Sequence, residues 1–266
     1  LIPPREKSVH IRGEAIALAQ ASEEERSAVA KEYSEQGRNA PHYVQGGSQM
    51  KSFSRVAMIS GVMVVVLGAM TTSHAGTFFT IADGNSSAYI DTGQQAGMFD
   101  WSVNGTDHLS KQWFWYRVGD TGPEASIDSL SLALQGTSDT NLDTVHDTMY
   151  VKYAGAGFDL EVRWSLDGGA AGNLTSDIAE NITITNTGDR ALDFHFFQYS
   201  DFDLGATIQD QGAEVVNANA VQQWDALLAL TETVVTPPPD HWEVATFPST
   251  FNSLNDGSPT TLSDVS

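Results

Sequence analysis

Residues 158–166, FDLEVRWSL, alternate apolar and polar side chains over nine positions. In a strand, where the side-chain period is two, the five apolar residues fall on one face and the charged residues on the other. This pattern is typical of an antiparallel strand with one buried face. Similar strand-like runs, separated by turn residues, occupy residues 113–118, 126–134, 148–154, 180–188, 191–205, 213–225 and 227–235. The sequence therefore predicts an all-β domain, namely an antiparallel two-sheet β-sandwich.

Residues 50–75 have the three parts of a secretory signal peptide. Lys51 and Arg55 form a basic start, residues 56–70 are apolar, and small residues precede a cleavage point after Ala75. The apolar run is shorter than the roughly 20 residues that span a membrane. We therefore expect export with cleavage, and no membrane span in the remaining chain. A membrane anchor or a buried helix is the alternative.

The predicted domain comprises residues 76–266. We interpret residues 1–49, which precede the first methionine, as an upstream extension outside the domain. A genuine extension with a helix over residues 13–37 is the alternative, because its residue types favour helices. The proline-rich residues 236–242 predict a rigid connector, and an extended segment should follow it. Because the chain then stops without terminal structure, we expect a domain truncated at its C-terminus.

The charge of residues 76–266 is strongly negative, with five Lys or Arg against 27 Asp or Glu, a net charge of −22. Such a surface repels nucleic acid and anionic membranes, so neither is an expected partner. The absence of cysteine excludes disulfides and thiolate metal sites. Together with export, it favours a bacterial secreted or cell-surface protein. The carboxylates could hold calcium, the one cofactor that the sequence suggests; a solvated acidic surface is the simpler interpretation.

The aromatic run Trp113, Phe114, Trp115 and Tyr116 permits two interpretations. The two tryptophans share one face of a strand, and the other two rings share the opposite face. Either both faces are buried, or an open face at a cleft edge stacks on a sugar. We favour the core, because large aromatic side chains stabilise most when buried. Trp113 and Trp115 are the candidate ligand-binding residues of the second interpretation.

Asp201 and Asp203 alternate in the run FQYSDFDLG, so both carboxylates point to one side of a strand. They are the candidate metal ligands, for calcium. Two solvated residues at a strand end are the favoured alternative, and an acid–base pair for glycoside hydrolysis is the least favoured. No nucleophile elbow, phosphate loop or dinucleotide fingerprint occurs in the predicted domain. We therefore assign no catalytic residue and expect no enzyme.

Three phrases carry a resemblance: QWFWYRVGDTGPEASID, SDIAENITITNTGDRALDFHFFQYSDFDLG and PDHWEVATFPSTFNSLNDGSPTTLSD. They resemble uncharacterised secreted bacterial proteins that often end in a PEP-CTERM sorting segment. That segment combines a Pro-Glu-Pro motif, a short membrane helix and a basic tail, and this sequence contains none of them. The resemblance implies sorting to the cell surface and implies no activity.

These observations favour an exported, non-catalytic protein of the cell envelope or extracellular matrix, with a polysaccharide or the cell-surface matrix as partner. The alternative is a carbohydrate-binding or carbohydrate-active β-sandwich module, since sandwiches often carry such sites. A calcium-stabilised, adhesin-like domain is a third hypothesis. An open aromatic face would favour the second, and convergent carboxylates would favour the third.

Overall fold

The structure, a computed structural model, describes residues 9–10, 15–20, 78–206 and 211–264. Strands dominate this part of the chain. The first nine are β1 (Val9–His10), β2 (Ala15–Gln20), β3 (Phe78–Asp83), β4 (Ser86–Asp91), β5 (Gly97–Val103), β6 (Thr106–Asp107), β7 (Leu109–Val118), β8 (Ala125–Ser126) and β9 (Ser131–Ser138). The others are β10 (Thr148–Ala154), β11 (Phe158–Gly168), β12 (Ser176–Asn186), β13 (Phe194–Phe202), β14 (Gly212–Asn217), β15 (Ala220–Trp224), β16 (Ala229–Thr233) and β17 (His241–Thr246). A single turn of α-helix, α1 (Ser249–Ser253), and short 3-10 helices at Ile127–Ser129 and Leu204–Ala206 complete the described elements.

The strands form three sheets, and the all-β prediction is confirmed. Sheet 1 has the order β1-β12-β11-β10-β9, and sheet 2 has the order β17-β2-β13-β7-β5-β4-β3, with β6 beside β5 and β8 beside β7. Sheet 3 is the small meander β14-β15-β16. Neighbouring strands are antiparallel, except that β5 runs parallel to β7, and β2 runs parallel to β13 and β17.

Sheets 1 and 2 pack face to face, and aromatic rings fill the space between them. The predicted inward face of β11 is confirmed, since its five apolar side chains are at most 5 % exposed. Trp164 of β11 lies with its ring centroid 6.0 Å from that of Phe114 on β7, and Phe158 lies 5.3 Å from Tyr116. Period-two alternation thus produces the sandwich, because each sheet must bury its apolar face against another layer.

Two predicted segments differ from the structure. The run 126–134 is not one strand: the 3-10 helix at Ile127–Ser129 precedes β9, which explains its imperfect alternation. The segment after the proline-rich connector is not simply extended, because it contains α1. A five-residue helix is too short to show a helical period in the sequence.

Two parts of the predicted upstream extension lie in the sheets. β1 pairs with β12, and β2 lies between β13 and β17. The expectation that residues 1–49 stand apart from the domain therefore does not hold for β2, which completes the order of sheet 2. The predicted signal peptide, residues 50–75, lies outside the described residues. No helix of the described chain is both long and apolar enough to cross a membrane.

Candidate functional site

Trp113 and Trp115 are fully buried, so neither offers an open face to a sugar. The Nε1–H of Trp113 donates to Ser126 Oγ at 2.9 Å, and the ring of Trp115 packs edge-on against Phe251 of α1 at 5.9 Å. The prediction of these two as ligand-binding residues is therefore wrong, and the core interpretation is confirmed. The physical reason is that sheet 1 covers one face of β7 while the C-terminal segment covers the other.

Asp201 and Asp203 do not lie at a solvated strand end. Asp201 is 3 % exposed on β13, directly opposite Lys111 of β7. Burial lowers the pKa of Lys111, and the Asp201 carboxylate partly opposes this change. The backbone N–H of Asp203 donates to His108 O at 2.8 Å. Calcium binding by this pair stays a prediction, with Lys111 already placed as a cation for Asp201.

Three other side chains, of types that commonly ligate metals, converge in the described chain. Atoms of Asp120, Asp193 and His195 lie within 4.8 Å of one another, and no second such group occurs among the described residues. Asp120 is exposed and the other two are half-buried. His195 Nε2 lies 3.7 Å from Asp193 Oδ2, the distance of a weak surface pair.

Another concave feature is a groove between sheet 3 and the open edge of the sandwich. Two adjoining cavities, of about 150 Å³ and about 270 Å³, share four lining residues: Trp101, Asp177, Leu230 and Thr231. Trp101 of β5 is half-buried, and its Nε1–H donates to Ser176 Oγ at 3.0 Å. The groove thus presents an indole ring beside apolar and hydroxyl-bearing side chains.

The inner end of the groove contains two glutamates joined by one amide. Gln198 of β13 donates from Nε2 to Glu180 Oε2 at 2.8 Å, and the same nitrogen contacts Glu232 Oε1. Glu180 also accepts from Trp164 Nε1 at 3.0 Å, and Glu232 accepts from Ser200 Oγ at 3.2 Å. Because Glu180 lies on β12, Gln198 on β13 and Glu232 on β16, this network ties all three sheets together.

Both glutamates resist ionisation. Burial, and then the charge of Glu232, raises the pKa of Glu180 to about 8. Burial likewise raises the pKa of Glu232 to about 7, against the hydrogen bonds from Ser200 and Gln112. Two neighbouring carboxyl groups that are shielded from water oppose each other's ionisation unless a compensating charge is present. A strongly shifted pair in a cleft is a candidate functional site.

The geometry does not favour glycoside hydrolysis at this pair. The two carboxyl groups of a glycosidase must flank the scissile bond, with the sugar between them. Here the amide of Gln198 fills the space between Glu180 and Glu232. The arrangement is suited to binding, through hydrogen bonds or through the two negative charges, rather than to acid–base chemistry.

The sequence analysis missed this site, although a signal was present. Glu180 shares its strand face with Ile182 and Ile184, and Glu232 shares its face with Leu230 and Val234. A carboxylate at a position where alternation demands an apolar residue indicates a polar group that points inward. Gln198 and Gln112 follow the same rule, on the faces of Phe196 and Phe114, respectively.

A second missed pattern is the loop Asp139-Thr-Asn141-Leu-Asp143, whose spacing is similar to that of calcium-binding loops. In the structure its carboxylates accept backbone hydrogen bonds instead. Asp139 accepts from the N–H groups of Leu142 and Thr144, at 2.6 and 2.9 Å. The loop therefore serves as a control in the experiments below.

Comparisons with known proteins do not place the chain in a family. No family model matches the sequence, and neither a curated protein nor a solved structure shows significant similarity.

Proposed function

We propose that this chain is an exported, non-catalytic protein of the bacterial cell envelope or extracellular matrix. The three-part leader at residues 50–75 carries the proposal. The acidic, cysteine-free composition of the following residues agrees with export. The filled space between Glu180 and Glu232 supports a binding role over a catalytic one.

Export can be tested by expressing the chain with residues 50–75 in a bacterial host and sequencing the N-terminus of the protein found outside the cytoplasm. We expect it to begin at Gly76. A matched variant with Val64→Arg and Val65→Arg disrupts the apolar run and should leave the protein inside the cell. Recovery of intact chain that retains residues 50–75 in the cytoplasm, from both versions, would contradict the proposal.

A specific observation favours carbohydrate binding as the second candidate function. The groove places the half-buried indole of Trp101 beside Asp177, Thr231 and the inner glutamates. Sugar recognition combines an aromatic face with a few well-placed polar groups, and this groove has both. The open aromatic surface is thus provided by Trp101, not by the buried tryptophans of β7.

Binding can be measured by titrating soluble bacterial polysaccharide fragments into the protein while following tryptophan fluorescence. Trp101→Ala should weaken binding at least tenfold. Trp224→Ala removes an exposed tryptophan that does not line the groove and is the matched control, for which we expect unchanged affinity. Equal affinity in the wild-type protein and both variants would remove the groove from consideration.

A further inference from the structure

The inner end of the groove has two acceptor oxygens that receive no hydrogen bond. Gln112 is 5 % exposed and lines the 270 Å³ cavity, yet its Oε1 has no donor among the described residues. Glu232 Oε2 is in the same situation. A buried acceptor without a donor is unfavourable, so two of them beside one cavity point to a missing partner.

A positively charged partner would let both glutamates ionise. None of the described residues that line this cavity is Lys, Arg or His. The lysines and arginines described from residue 78 onward lie elsewhere: Lys111 opposite Asp201, Arg117 beside Glu124, Lys152 beside Asp159, Arg163 beside Glu161, and Arg190 exposed after β12. Buried carboxylates in proteins are paired with cations or coordinate metals, and no described residue that lines this cavity supplies a cationic side chain.

The three side chains that could ligate a cation here offer oxygen atoms. Glu180 and Glu232 provide carboxylates, and Gln112 provides an amide carbonyl. Gln198 donates from its nitrogen to both glutamates, and half a turn of its amide would present its oxygen instead. Hard divalent cations prefer this set, whereas zinc and copper prefer sulfur and imidazole.

We propose that Glu180, Glu232 and Gln112 bind a hard divalent cation at the inner end of the groove, with calcium as the best fit. Calcium accepts six to eight oxygens in irregular geometry, and water can complete its shell through the open groove. Magnesium requires near-ideal octahedral geometry, which three side chains from three strands of three different sheets do not provide. The bound cation would join sheet 3 to the sandwich, because Glu232 lies on β16 and its partners lie on β12 and β7. This site does not depend on export or on carbohydrate binding.

Terbium, a luminescent substitute for calcium, tests the site directly. Trp164 donates to Glu180 at 3.0 Å, so its excitation should sensitise terbium bound there. We expect luminescence in the chelator-treated wild-type protein and its displacement by calcium. Glu232→Gln and Glu180→Gln keep shape while removing one charge each, and each should weaken calcium binding at least tenfold by calorimetry. Gln112→Met, which removes the amide with its carbonyl oxygen but no charge, should weaken it less.

Two control variants separate this site from its competitors. Asp201→Asn with Asp203→Asn removes the pair predicted from the sequence, and Asp139→Asn disables the loop at residues 139–143. Neither should alter the affinity at the groove site. Calcium binding that survives Glu232→Gln and Glu180→Gln but is lost in either control would overturn the proposal. Binding that is absent from the folded wild-type protein, checked by circular dichroism, would overturn it as well.

Discussion

Glu124 is buried and Glu232 is half-buried with its Oε2 shielded from water, but among the described residues only Glu124 has a cation beside it. The guanidinium of Arg117 contacts Glu124, and Thr260 donates to it from its N–H at 3.0 Å and from Oγ1 at 2.8 Å. The described donors to Glu232 are all neutral: Gln198, Ser200 and Gln112. The first region fastens the C-terminal segment to β7. The groups around Glu232 lack a compensating charge, which a bound ligand would supply.

The difference shows how one physical rule leads to two roles. A buried charge must be compensated, and a protein can supply the opposite charge itself or leave it to a ligand. Where the protein supplies it, the pair is structural. Where it does not, the carboxyl groups keep their protons at neutral pH or bind a cation. The four predictions below test this contrast, and all unfolding measurements use chelator-treated protein.

The largest effect should follow from breaking the compensated pair. Glu124→Ala leaves the charge of Arg117 buried and removes the acceptor of Thr260, so we expect a loss of about 3–5 kcal/mol in unfolding free energy. Urea denaturation measures it. Arg117→Met with Glu124→Leu removes both charges together and should recover much of the loss. An equal loss in the single and double variants would show that packing, not charge, is decisive there.

The uncompensated pair should make stability fall as pH rises. Folded Glu180 and Glu232 have pKa values of about 8 and about 7, above the ordinary value of 4.5. Between about pH 4.5 and 8 the folded state therefore holds more protons than the unfolded state, and the unfolding free energy decreases. Asp107, whose pKa burial raises to about 6, adds in the same direction, and His108, whose pKa burial lowers, opposes it.

The pH effect of the pair is isolated by difference. The double variant Glu180→Gln with Glu232→Gln should unfold with a flatter dependence on pH between 5 and 8, while Asp107 and His108 contribute equally to both proteins. Thermal unfolding at several pH values measures this. If the melting temperatures of the wild type and the double variant change with pH in parallel, the two glutamates do not take up extra protons on folding. They would then be ionised in the folded state, next to a positive charge that their described contacts do not include.

These two regions also show what the sequence could predict. Alternation in residues 158–166 predicted β11 and its buried face, because a period of two is a local property. The same rule, applied to Glu180 and Glu232, indicates two inward carboxylates. Their meeting could not be predicted, because it depends on sheet 3 folding over the sandwich edge. The burial of Trp115 likewise depends on α1, which lies far along the chain.

A smaller effect should come from neutralising one member of the uncompensated pair. At pH 8 Glu232→Gln removes an unfavourable charge while its amide oxygen can still accept from Gln198 and Ser200. We expect a rise in melting temperature of roughly 2–4 °C, which corresponds to about 1 kcal/mol for a domain of this size. At pH 5 the rise should vanish, because wild-type Glu232 is then protonated. A fall at both pH values would assign Glu232 an ionised, stabilising role.

The smallest effect should come from a compensated pair at the surface. Lys152 Nζ lies 2.8 Å from Asp159 Oδ2, and both side chains remain about one-third exposed. Solvent screens such a pair, and Lys152 also stands directly opposite Glu161 on β11, so a second carboxylate remains when the first is removed. Asp159→Asn should therefore cost about 0.2–1 kcal/mol in urea denaturation, and 1 M salt should reduce the cost further.

The ionic strength dependence is the sharper measurement, because the buried pair of Arg117 and Glu124 should respond weakly to the same salt. A loss of several kcal/mol in Asp159→Asn would show that an exposed ion pair can stabilise this protein as much as a buried one. Burial would then not explain why Glu124 and Glu232 differ.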